Sequence, residues 1–295
     1  MQSKVSQILK ILILGSSGML GRYLIEHFEL SARYEVFTAS RTNADYYCNF
    51  EELESLQETI QEIKPDIVIN SVAVTSLAQC EAQKDYSFII NGDAPIKISA
   101  FCLRLGIKFI QVSSDHFFAV DDGIIEHREE SDTVILNHYA RTKYHAEQGI
   151  LSNNPHALVI RTAILGQTNS NRSLLDWMME NMLAHQKVHL LFYVMSSCIH
   201  CRDFCNLLDQ LIQSRVSGLI NIGTDEVFSY GQLYLDIAER LSITPIYEPL
   251  DNLEDGITRS TNRGLSIQRL KTLLPQKKIP TYQGLLDRVE DEYRI

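Results

Sequence analysis

The sequence lacks the features that mark nucleic-acid-binding and membrane-spanning proteins. Its 37 acidic side chains outnumber 27 basic ones and give a net charge of −10, which disfavours binding to a phosphate backbone. No stretch approaches the roughly 18 uninterrupted apolar residues of a membrane span. The apolar run ILKILILG at residues 8–15 is short, contains a lysine and has no cleavage-site pattern after it. We therefore expect a cytoplasmic protein that binds a small soluble partner, and neither nucleic acid nor a membrane.

The six cysteines lack the regular spacing of a disulfide framework, which predicts reduced thiols in a chain of 295 residues. Three of them lie in CIHCRDFC at residues 198–205, and zinc prefers thiolate and imidazole ligands. However, Cys201 and Cys205 are one helical turn apart at the start of an apolar-periodic stretch, and the sequence offers no second ligand pair at matched spacing. We therefore predict helix packing here and no metal site.

Short β-rich runs alternate with helical patterns in the first half of the chain, which is typical of a parallel sheet covered by helices on both faces. The strand candidates are KILILG at 10–15, YEVFTAS at 34–40, DIVINSV at 66–72, KFIQVSS at 108–114 and ALVIRT at 157–162. Three segments between them carry apolar residues at three- and four-residue intervals, as helices do: 19–30, 51–63 and 93–106.

The alternation loosens beyond about residue 165, where a helix, a strand near 188–194, another helix and the strand GLINIG at 218–223 are expected. We predict an α/β fold: a doubly wound parallel sheet of the Rossmann type, followed by a smaller, partly interleaved C-terminal α/β lobe that binds substrate. The approximate boundaries are 1–165 for the first domain and 166–295 for the smaller lobe.

A glycine-rich segment, GSSGMLG, follows the first strand and places Gly15, Gly18 and Gly21 in a G-x-x-G-x-x-G pattern. A pyrophosphate docked at the next helix needs exposed backbone amides, and side chains at these positions would hold it away. A plain tight turn is the alternative, but the position between a strand and an amphipathic helix favours a dinucleotide. The predicted contacts in this loop are Gly15, Ser17, Gly18, Met19, Leu20 and Gly21.

The end of the second strand, TASR, selects between cofactors. An acidic residue there would bind the adenosine ribose, whereas Arg41 after Ser40 suits a 2′-phosphate, so NADP is favoured over NAD. NAD stays possible, because the alternative interpretation is that Arg41 is a solvated residue of a loop and binds no phosphate. Asn49 and Phe50 are predicted to border the adenine.

The fourth strand candidate ends in VSSDHFF, which places Ser114 where its hydroxyl can face a ligand. Tyr139 follows 25 residues later, and Lys143 lies one helical turn beyond it. Positions four apart share a helix face, so the ammonium can stabilise the ionised phenol, whose ordinary pKa of about 10 makes it a sluggish acid at neutral pH. Such a pair occurs by chance in many helices, but the glycine loop upstream makes the combination specific.

Taken in order, these motifs resemble the extended short-chain dehydrogenase/reductase superfamily, and within it the dTDP-4-dehydrorhamnose reductases. IKPDIVINSVAVTSLAQCE resembles the family's RPDVVVNAAAYTAVDKAE type of segment, and INGDAP keeps its asparagine. VSSDHFF is similar to S-T-D-Y-V-F, YARTKYHAE to Y-G-x-S/T-K-x-x-G-E, and VIRTAILG to V-I-R-T-S-W-V-Y-G. RSTNRGLSIQRL at 259–270 resembles R-P-x-N-S-x-L-D. The resemblance spans almost the whole chain.

The resemblance implies the catalytic triad Ser114, Tyr139 and Lys143, and a homodimer that acts on a nucleotide sugar. It implies further cofactor contacts at Ser71, Val72, Ala73, Asn91, Tyr139 and Lys143. It implies substrate contacts at Ser114, Asp115, His116, Arg259 and Asn262. Arg259 and Asn262 could reach the nucleotide diphosphate or have a surface role instead.

Several positions depart from the family pattern and predict a different substrate wall. His116 and Phe117 replace a tyrosine and a valine, and residues 163–166 lack the family's tryptophan and tyrosine. Ser260 and Ser266 stand where the family has proline and aspartate. His116 could hydrogen-bond the sugar or fill space beside Phe118.

The expected function is NADP-dependent reduction of a nucleotide-linked 4-keto-6-deoxysugar, as in dTDP-rhamnose biosynthesis, with hydride from NADPH and a proton from Tyr139. One alternative is a nucleotide-sugar epimerase or dehydratase of the same superfamily, which would retain NAD and which Arg41 disfavours. A second alternative is a non-catalytic dinucleotide-binding subunit resembling the regulatory subunit of methionine adenosyltransferase.

Overall fold

The computed structural model describes residues 8–118, 123, 125–168, 173–251 and 256–293. The chain forms two compact units. The first is drawn from Met1–Ser113, Thr142–Val159 and Arg215–Leu219, and the second from Ser114–Arg141, Ile160–Ser214 and Ile220–Ile295. In the described part of the chain, no helix has the length and apolar character needed to cross a membrane.

The strands are β1 Leu9–Leu14, β2 Tyr34–Ser40, β3 Tyr46–Tyr47, β4 Ile67–Asn70, β5 Lys108–Val112, β6 Leu158–Arg161, β7 Ile164–Leu165, β8 Lys187–Leu190, β9 Met195–Ser196, β10 Ile199–His200, β11 Gly218–Asn221, β12 Phe228–Ser229, β13 Ile246–Pro249 and β14 Asn262–Arg263. The helices are α1 Met19–Glu29, α2 Leu53–Ile63, α3 Leu77–Ala82, α4 Lys84–Phe88, α5 Ala94–Arg104, α6 His138–Asn153, α7 Leu174–Leu183, α8 Cys201–Gln213, α9 Tyr230–Arg240, α10 Gln268–Leu273 and α11 Tyr282–Tyr293. A π-helical turn, Ile89–Asp93, joins α4 to α5.

Seven strands form one sheet in the order β11-β6-β5-β4-β1-β2-β3. β1 lies beside the central strand β4, with Leu12 opposite Phe37 of β2 on one side and Val68 of β4 on the other, both in parallel. The chain winds outward from β1 in two directions, so the strand order reverses between β1 and β4. The predicted α/β, doubly wound sheet is confirmed, and its reversal point is where such sheets bind ligands.

The inner strands β1 and β4 of the sheet are mostly apolar and buried. Ile11–Leu14 of β1 and all of β4 are buried, as expected of parallel strands covered on both faces. On α1, Leu20, Tyr23, Leu24 and Phe28 are buried at three- and four-residue spacing, so one face of the helix packs on the sheet. The five strands and three helices predicted for the first half of the chain are therefore confirmed.

The second unit has an apolar core of its own, built mainly by α7, α9 and α11. Ser173 begins α7 with a capping box, in which its hydroxyl accepts from the Asp176 N–H and the Asp176 carboxylate accepts in return. Cys201 and Cys205 are buried on α8, in agreement with the helix-packing interpretation, and the other four thiols are buried as well. In the described residues, no group of three or more His, Cys, Asp or Glu side chains could hold a metal ion.

Two expectations about domain organisation differ from the structure. The strand GLINIG, expected in the smaller lobe, is β11 at the edge of the large sheet, because an apolar run does not encode which strand it will pair with. Residues 114–141 group with the second unit although they precede residue 165. The reason is hydrogen bonding: the His127 N–H donates to Gly264 O at 2.8 Å, and its carbonyl accepts from Ser266 N at 2.8 Å.

Candidate active site

The loop after β1 closes tightly around its glycines. Gly15 has a φ of 83°, in the left-handed region, and a Cβ there would lie 2.9 Å from the Ser71 hydroxyl. Gly21 packs the first turn of α1 on the loop so closely that a Cβ would lie 2.7 Å from the Cα of Ser16. Gly18 precedes α1 and provides no side-chain cap. The N-terminal amides of α1 are therefore suited to a pyrophosphate, which a larger residue at position 15 or 21 would disturb.

A cleft lies outside this loop, at the carboxyl ends of β1, β2 and β4, and it collects most of the residues predicted to bind the cofactor. These are Gly15, Ser17, Gly18, Ser40, Arg41, Asn49, Phe50, Ser71, Val72 and Ala73.

Four other residues line the same cleft and were missed: Cys48, Val74, Tyr86 and Ile90. Cys48 and Tyr86 belong to no recognisable motif, whereas Val74 and Ile90 lie within the segments IKPDIVINSVAVTSLAQCE and INGDAP but were not singled out there. Six of the predicted cofactor contacts are not part of the cleft's lining as the described residues define it: Met19, Leu20, Gly21, Asn91, Tyr139 and Lys143. Met19, Leu20 and Gly21 lie in the first turn of α1 instead.

Arg41 is exposed at the edge of the cleft, where its Nη1 lies 3.5 Å from the hydroxyl of Tyr86. A carboxylate follows nearby in the sequence, but Asp45 is engaged by Thr38, accepting from its backbone N–H at 2.9 Å and its hydroxyl at 2.8 Å. Because the Asp45 carboxylate is hydrogen-bonded to Thr38 of β2, it does not point toward the position of a ribose. The guanidinium of Arg41, which follows β2, and the phenol of Tyr86 on α4 therefore lie together at the edge of the cleft, a combination suited to a phosphate.

Asn91 is fully buried on the π-helical turn and serves as a cross-link. Its Oδ1 accepts from Val74 N at 2.8 Å, and its Nδ2 donates to Val74 O at 2.9 Å and to the Thr142 hydroxyl at 3.2 Å. The amide thus ties the loop after β4 to the helix α6. This places Asn91 behind the cleft wall, where it supports the backbone that lines the cleft.

Replacing Asn91 with alanine is expected to lower the free energy of unfolding by about 2–4 kcal/mol, because the Val74 N–H and carbonyl would stay buried without their partner. Chemical denaturation measures this loss. Asn181→Ala is the matched control, since that amide is on an exposed part of α7 and donates only to Trp177 O within its own helix. Equal stabilities of the two variants would contradict the cross-linking role.

Lys143 is almost fully buried on α6, and its Nζ donates to Val112 O, at the end of β5, at 2.7 Å. Burial lowers the pKa of its ammonium to about 8, while the charge of Glu147 acts in the opposite direction. Strongly shifted pKa values of this kind cluster at functional sites. Tyr139 lies one turn earlier on the same helix.

In the second unit, Tyr139 is buried and its ring packs edge-on to the ring of His116, with 5.4 Å between centroids. The Ser114 hydroxyl accepts from the His116 N–H at 3.3 Å and also hydrogen-bonds the carboxyl of Asp115. Burial raises the pKa of that carboxyl, and the charge of Arg263 opposes the rise. The predicted substrate residues Ser114, Asp115 and His116 are thus brought together beside the candidate acid.

Arg263 belongs to the same cluster and was missed by the sequence analysis. Its Nη1 lies 2.5 Å from Nε2 of His116, and its guanidinium lies 5.1 Å from the ring centroid of Tyr230. The ring nitrogen of His116 thus has a polar partner within the protein, and its hydrogen bond to the sugar stays a prediction. The only signal for Arg263 in the sequence was its place in RSTNRGLSIQRL.

Arg259 and Asn262 were also predicted to contact the substrate, but neither side chain hydrogen-bonds His116 in the described residues. The Arg259 Nη1 donates to Ile257 O at 2.7 Å, and its charge acts on His116. Asn262 lies on β14, where its carbonyl oxygen accepts from the Ser260 hydroxyl at 3.1 Å. Their assignment to the nucleotide diphosphate stays a prediction.

The chain matches the model of one protein family, the RmlD substrate binding domain, over residues 9–294. It belongs to the RmlD substrate binding domain family. The resemblance drawn from the motifs is therefore confirmed at the level of the family, because the match covers nearly every element of both units.

Two relatives show the breadth of the similarity. The spore coat polysaccharide biosynthesis protein SpsK of Bacillus subtilis is 25% identical over 231 residues, covering 78% of each chain. The methionine adenosyltransferase 2 subunit beta of Mus musculus is 23% identical over 289 residues, covering 94% of this chain and 86% of that protein.

Among solved structures, the dTDP-4-dehydrorhamnose reductase of Bacillus anthracis in complex with NADP superposes with a TM-score of 0.86 and 19% identity, covering 96% of this chain and 98% of that one. At 19% identity, this structural similarity shows that the two chains share a fold. The roles of Ser114, Tyr139 and Lys143 stay predictions.

Proposed function

We propose that the protein is an NADP-dependent reductase of a nucleotide-linked keto-sugar, with the 4-keto-6-deoxysugar of dTDP-rhamnose biosynthesis as the model for its substrate. One observation carries the proposal: Tyr139 and Lys143 lie one turn apart on α6, and burial lowers the pKa of Lys143 to about 8. The glycine-lined cleft, membership of the RmlD family and the similarity to a reductase crystallised with NADP support it.

Each residue has a defined role in this reaction. Ser114 hydrogen-bonds the carbonyl oxygen of the sugar and holds it for proton transfer. NADPH, when bound, supplies the hydride. Tyr139 donates its phenolic proton to the oxygen as negative charge develops there, and the Lys143 ammonium stabilises the phenolate that results. Gly15 and Gly18 hold the loop in the form that leaves backbone amides for the pyrophosphate.

A spectrophotometric assay tests the proposal directly. Purified protein is expected to consume NADPH steadily when dTDP-4-dehydrorhamnose or a related nucleotide keto-sugar is added, and to form the corresponding alcohol. Failure to bind NADPH, or binding without turnover on any nucleotide keto-sugar, would contradict it.

The preference for NADP depends on Arg41. Arg41→Ala is expected to weaken NADPH binding by about 10- to 100-fold, because a charge-assisted hydrogen bond contributes about 1.5–3 kcal/mol. NADH binding should change little, since NADH has no 2′-phosphate for the guanidinium to bind. Fluorescence titration of both cofactors measures the two affinities.

Arg33→Ala is the control, because Arg33 is also an exposed arginine of the first unit and does not line the cleft. It should leave both affinities unchanged. An equal loss of NADPH and NADH binding in Arg41→Ala would assign Arg41 to a part of the cofactor that the two share, and the NADP preference would need another cause.

A non-catalytic subunit is the second candidate, favoured by the similarity to methionine adenosyltransferase 2 subunit beta over 94% of this chain. Such a subunit would bind the dinucleotide and form a stable complex with a larger enzyme without consuming NADPH. Size-exclusion chromatography with the turnover assay separates the two candidates. The same chromatography tests the homodimer, which stays a prediction.

A further inference from the structure

Two departures from the family pattern meet in the second unit. His116 stands where S-T-D-Y-V-F has tyrosine, and Arg263 stands where R-P-x-N-S-x-L-D has its serine. They are 147 positions apart in the sequence, yet Nη1 of Arg263 lies 2.5 Å from Nε2 of His116. A guanidinium in proteins is always protonated and only donates, so Nε2 of His116 must be the acceptor. His116 is therefore neutral and has its proton on Nδ1.

The electrostatics agree with this protonation state. Burial, together with the charges of Arg263 and Arg259, lowers the pKa of the His116 imidazole well below its usual value. The guanidinium of Arg263 is held in place by its position over the ring of Tyr230. The pair is thus a fixed cation joined to a neutral imidazole of defined tautomer.

Three polar atoms of this cluster are buried and have no hydrogen-bond partner in the described part of the chain: Arg263 Nε, His116 Nδ1 and Asp115 Oδ2. Two of them are N–H donors. A buried donor without an acceptor costs about 1–3 kcal/mol, so a cluster that retains two of them is suited to a ligand that supplies acceptor oxygens.

The charge of the cluster narrows the choice of ligand. Relative to the family pattern, the change from serine to Arg263 adds one positive charge, the change from tyrosine to His116 adds none, and Asp115 is the aspartate of the pattern. Burial raises the pKa of Asp115, which weakens its compensation of the guanidinium. The cluster is therefore richer in positive charge than the family's pattern and suits a more acidic ligand.

Its position indicates which part of the ligand is acidic. The His116 ring packs against Tyr139, the residue assigned to the carbonyl oxygen, so the cluster faces the sugar ring. We propose that Arg263 and His116 form a subsite for a carboxylate on the sugar, so that the substrate is a nucleotide-linked acidic keto-sugar. This inference rests on the proposed reductase function. The carboxylate is unchanged in the reaction: hydride adds to the carbonyl carbon, Tyr139 protonates the oxygen, and NADPH is oxidised.

Binding of stable nucleotide sugars tests the subsite without turnover. UDP-glucuronate, UDP-glucose, UDP-xylose and UDP are compared by calorimetry in the presence of NADP⁺, with the dTDP conjugates of the same sugars as a second series. The first three differ only in carrying a carboxylate, a hydroxymethyl group or hydrogen at one carbon. The wild-type protein is expected to bind the glucuronate at least about 10-fold more tightly than the glucose and xylose conjugates, which corresponds to about 1.4 kcal/mol.

Variants assign the preference to the pair. Arg263→Met should abolish the preference, Arg263→Lys should retain part of it, and the double variant His116→Tyr with Arg263→Ser, which restores the family's residues, should reverse it. Arg128→Met is the control, because this arginine of the second unit is exposed and interacts with Glu130.

Three outcomes would overturn the proposal: equal affinities of the wild type for acidic and neutral sugars, no binding of any conjugate, or an equal loss for all ligands including UDP in Arg263→Met. The last outcome would assign Arg263 to the diphosphate. NADPH binding and turnover of a neutral keto-sugar, measured separately, distinguish this failure from failure of the reductase function. If the protein reduces a neutral keto-sugar at least as fast as an acidic one, the reductase function is supported and the carboxylate subsite is contradicted.

Discussion

Replacement of Tyr139 with phenylalanine is expected to lower kcat for keto-sugar reduction by about 10²- to 10⁴-fold, the usual contribution of a positioned general acid. The phenol is the group that protonates the alkoxide, and phenylalanine keeps the ring that packs against His116 while it removes the proton. Stopped-flow measurement of NADPH oxidation separates the chemical step from product release. NADPH affinity should change by less than the turnover does, because the glycine-lined cleft is intact.

Tyr144→Phe is the matched control, since Tyr144 lies on the same helix and also loses only a hydroxyl. Its turnover should stay close to that of the wild type. If Tyr139→Phe retained full activity, the proton would come from another group and the assignment of the acid would be wrong.

Replacement of Lys143 with methionine is expected to lower kcat at pH 7 by about 10- to 1,000-fold, because a nearby cation shifts a titrating group by about 1–3 pKa units. The wild-type rate should also fall as the pH rises through about 8, where the Lys143 ammonium loses its proton. The variant has no ammonium, so this fall should be absent from its pH–rate profile.

Lys108→Met provides an unusually close control. Burial lowers the pKa of Lys108 to about 8 as well, but its Nζ donates to His156 O and Val216 O at the opposite end of β5 from Val112. The fall above pH 8 should therefore persist in Lys108→Met. Its loss in that variant, or its persistence in Lys143→Met, would assign the titration to a different group.

The lowered pKa of Lys143 also has a consequence for stability. The unfolded chain binds this proton up to pH about 10.5, whereas the folded chain releases it near pH 8, so stability rises with pH between these values. The cost of burying the ammonium, about 3 kcal/mol, is present below pH 8 and is largely lost by pH 10. The stability of Lys143→Met relative to wild type should therefore decrease by up to about that amount between pH 7 and pH 10, as measured by urea denaturation.

The first half of the fold was accessible from the sequence because its signals are local. The apolar run of β1, the glycines after it and the spacing of Leu20, Leu24 and Phe28 on α1 each depend on residues within one or two turns of chain. The cleft residues from Gly15 to Arg41 followed from the same logic, since the carboxyl ends of adjacent parallel strands lie at one edge of the sheet, whereas Ser71, Val72 and Ala73 were implied by the family resemblance.

Tyr86 and Ile90 could not be predicted in this way. They reach the cleft from α4 and the π-helical turn. The spacing of apolar residues in the sequence does not predict which face of a helix will pack against the edge of the sheet. Asn91 was chosen because of the family's motif, but its position behind the wall depends on its bonds to Val74 and Thr142. The placement of β11 in the large sheet is of the same kind.

By itself, the sequence determined the doubly wound sheet, the dinucleotide-type loop and the i, i+4 placement of Tyr139 and Lys143, because these depend on local periodicity and helix geometry. Only the tertiary structure decided that Lys143 is buried with a lowered pKa and that Arg263 lies against His116. Burial and the contact of residues 147 positions apart are properties of the packed chain. The local sequence pattern thus specified the sheet and its loop. Long-range packing placed the Arg263 guanidinium beside His116, where we propose that it selects the substrate.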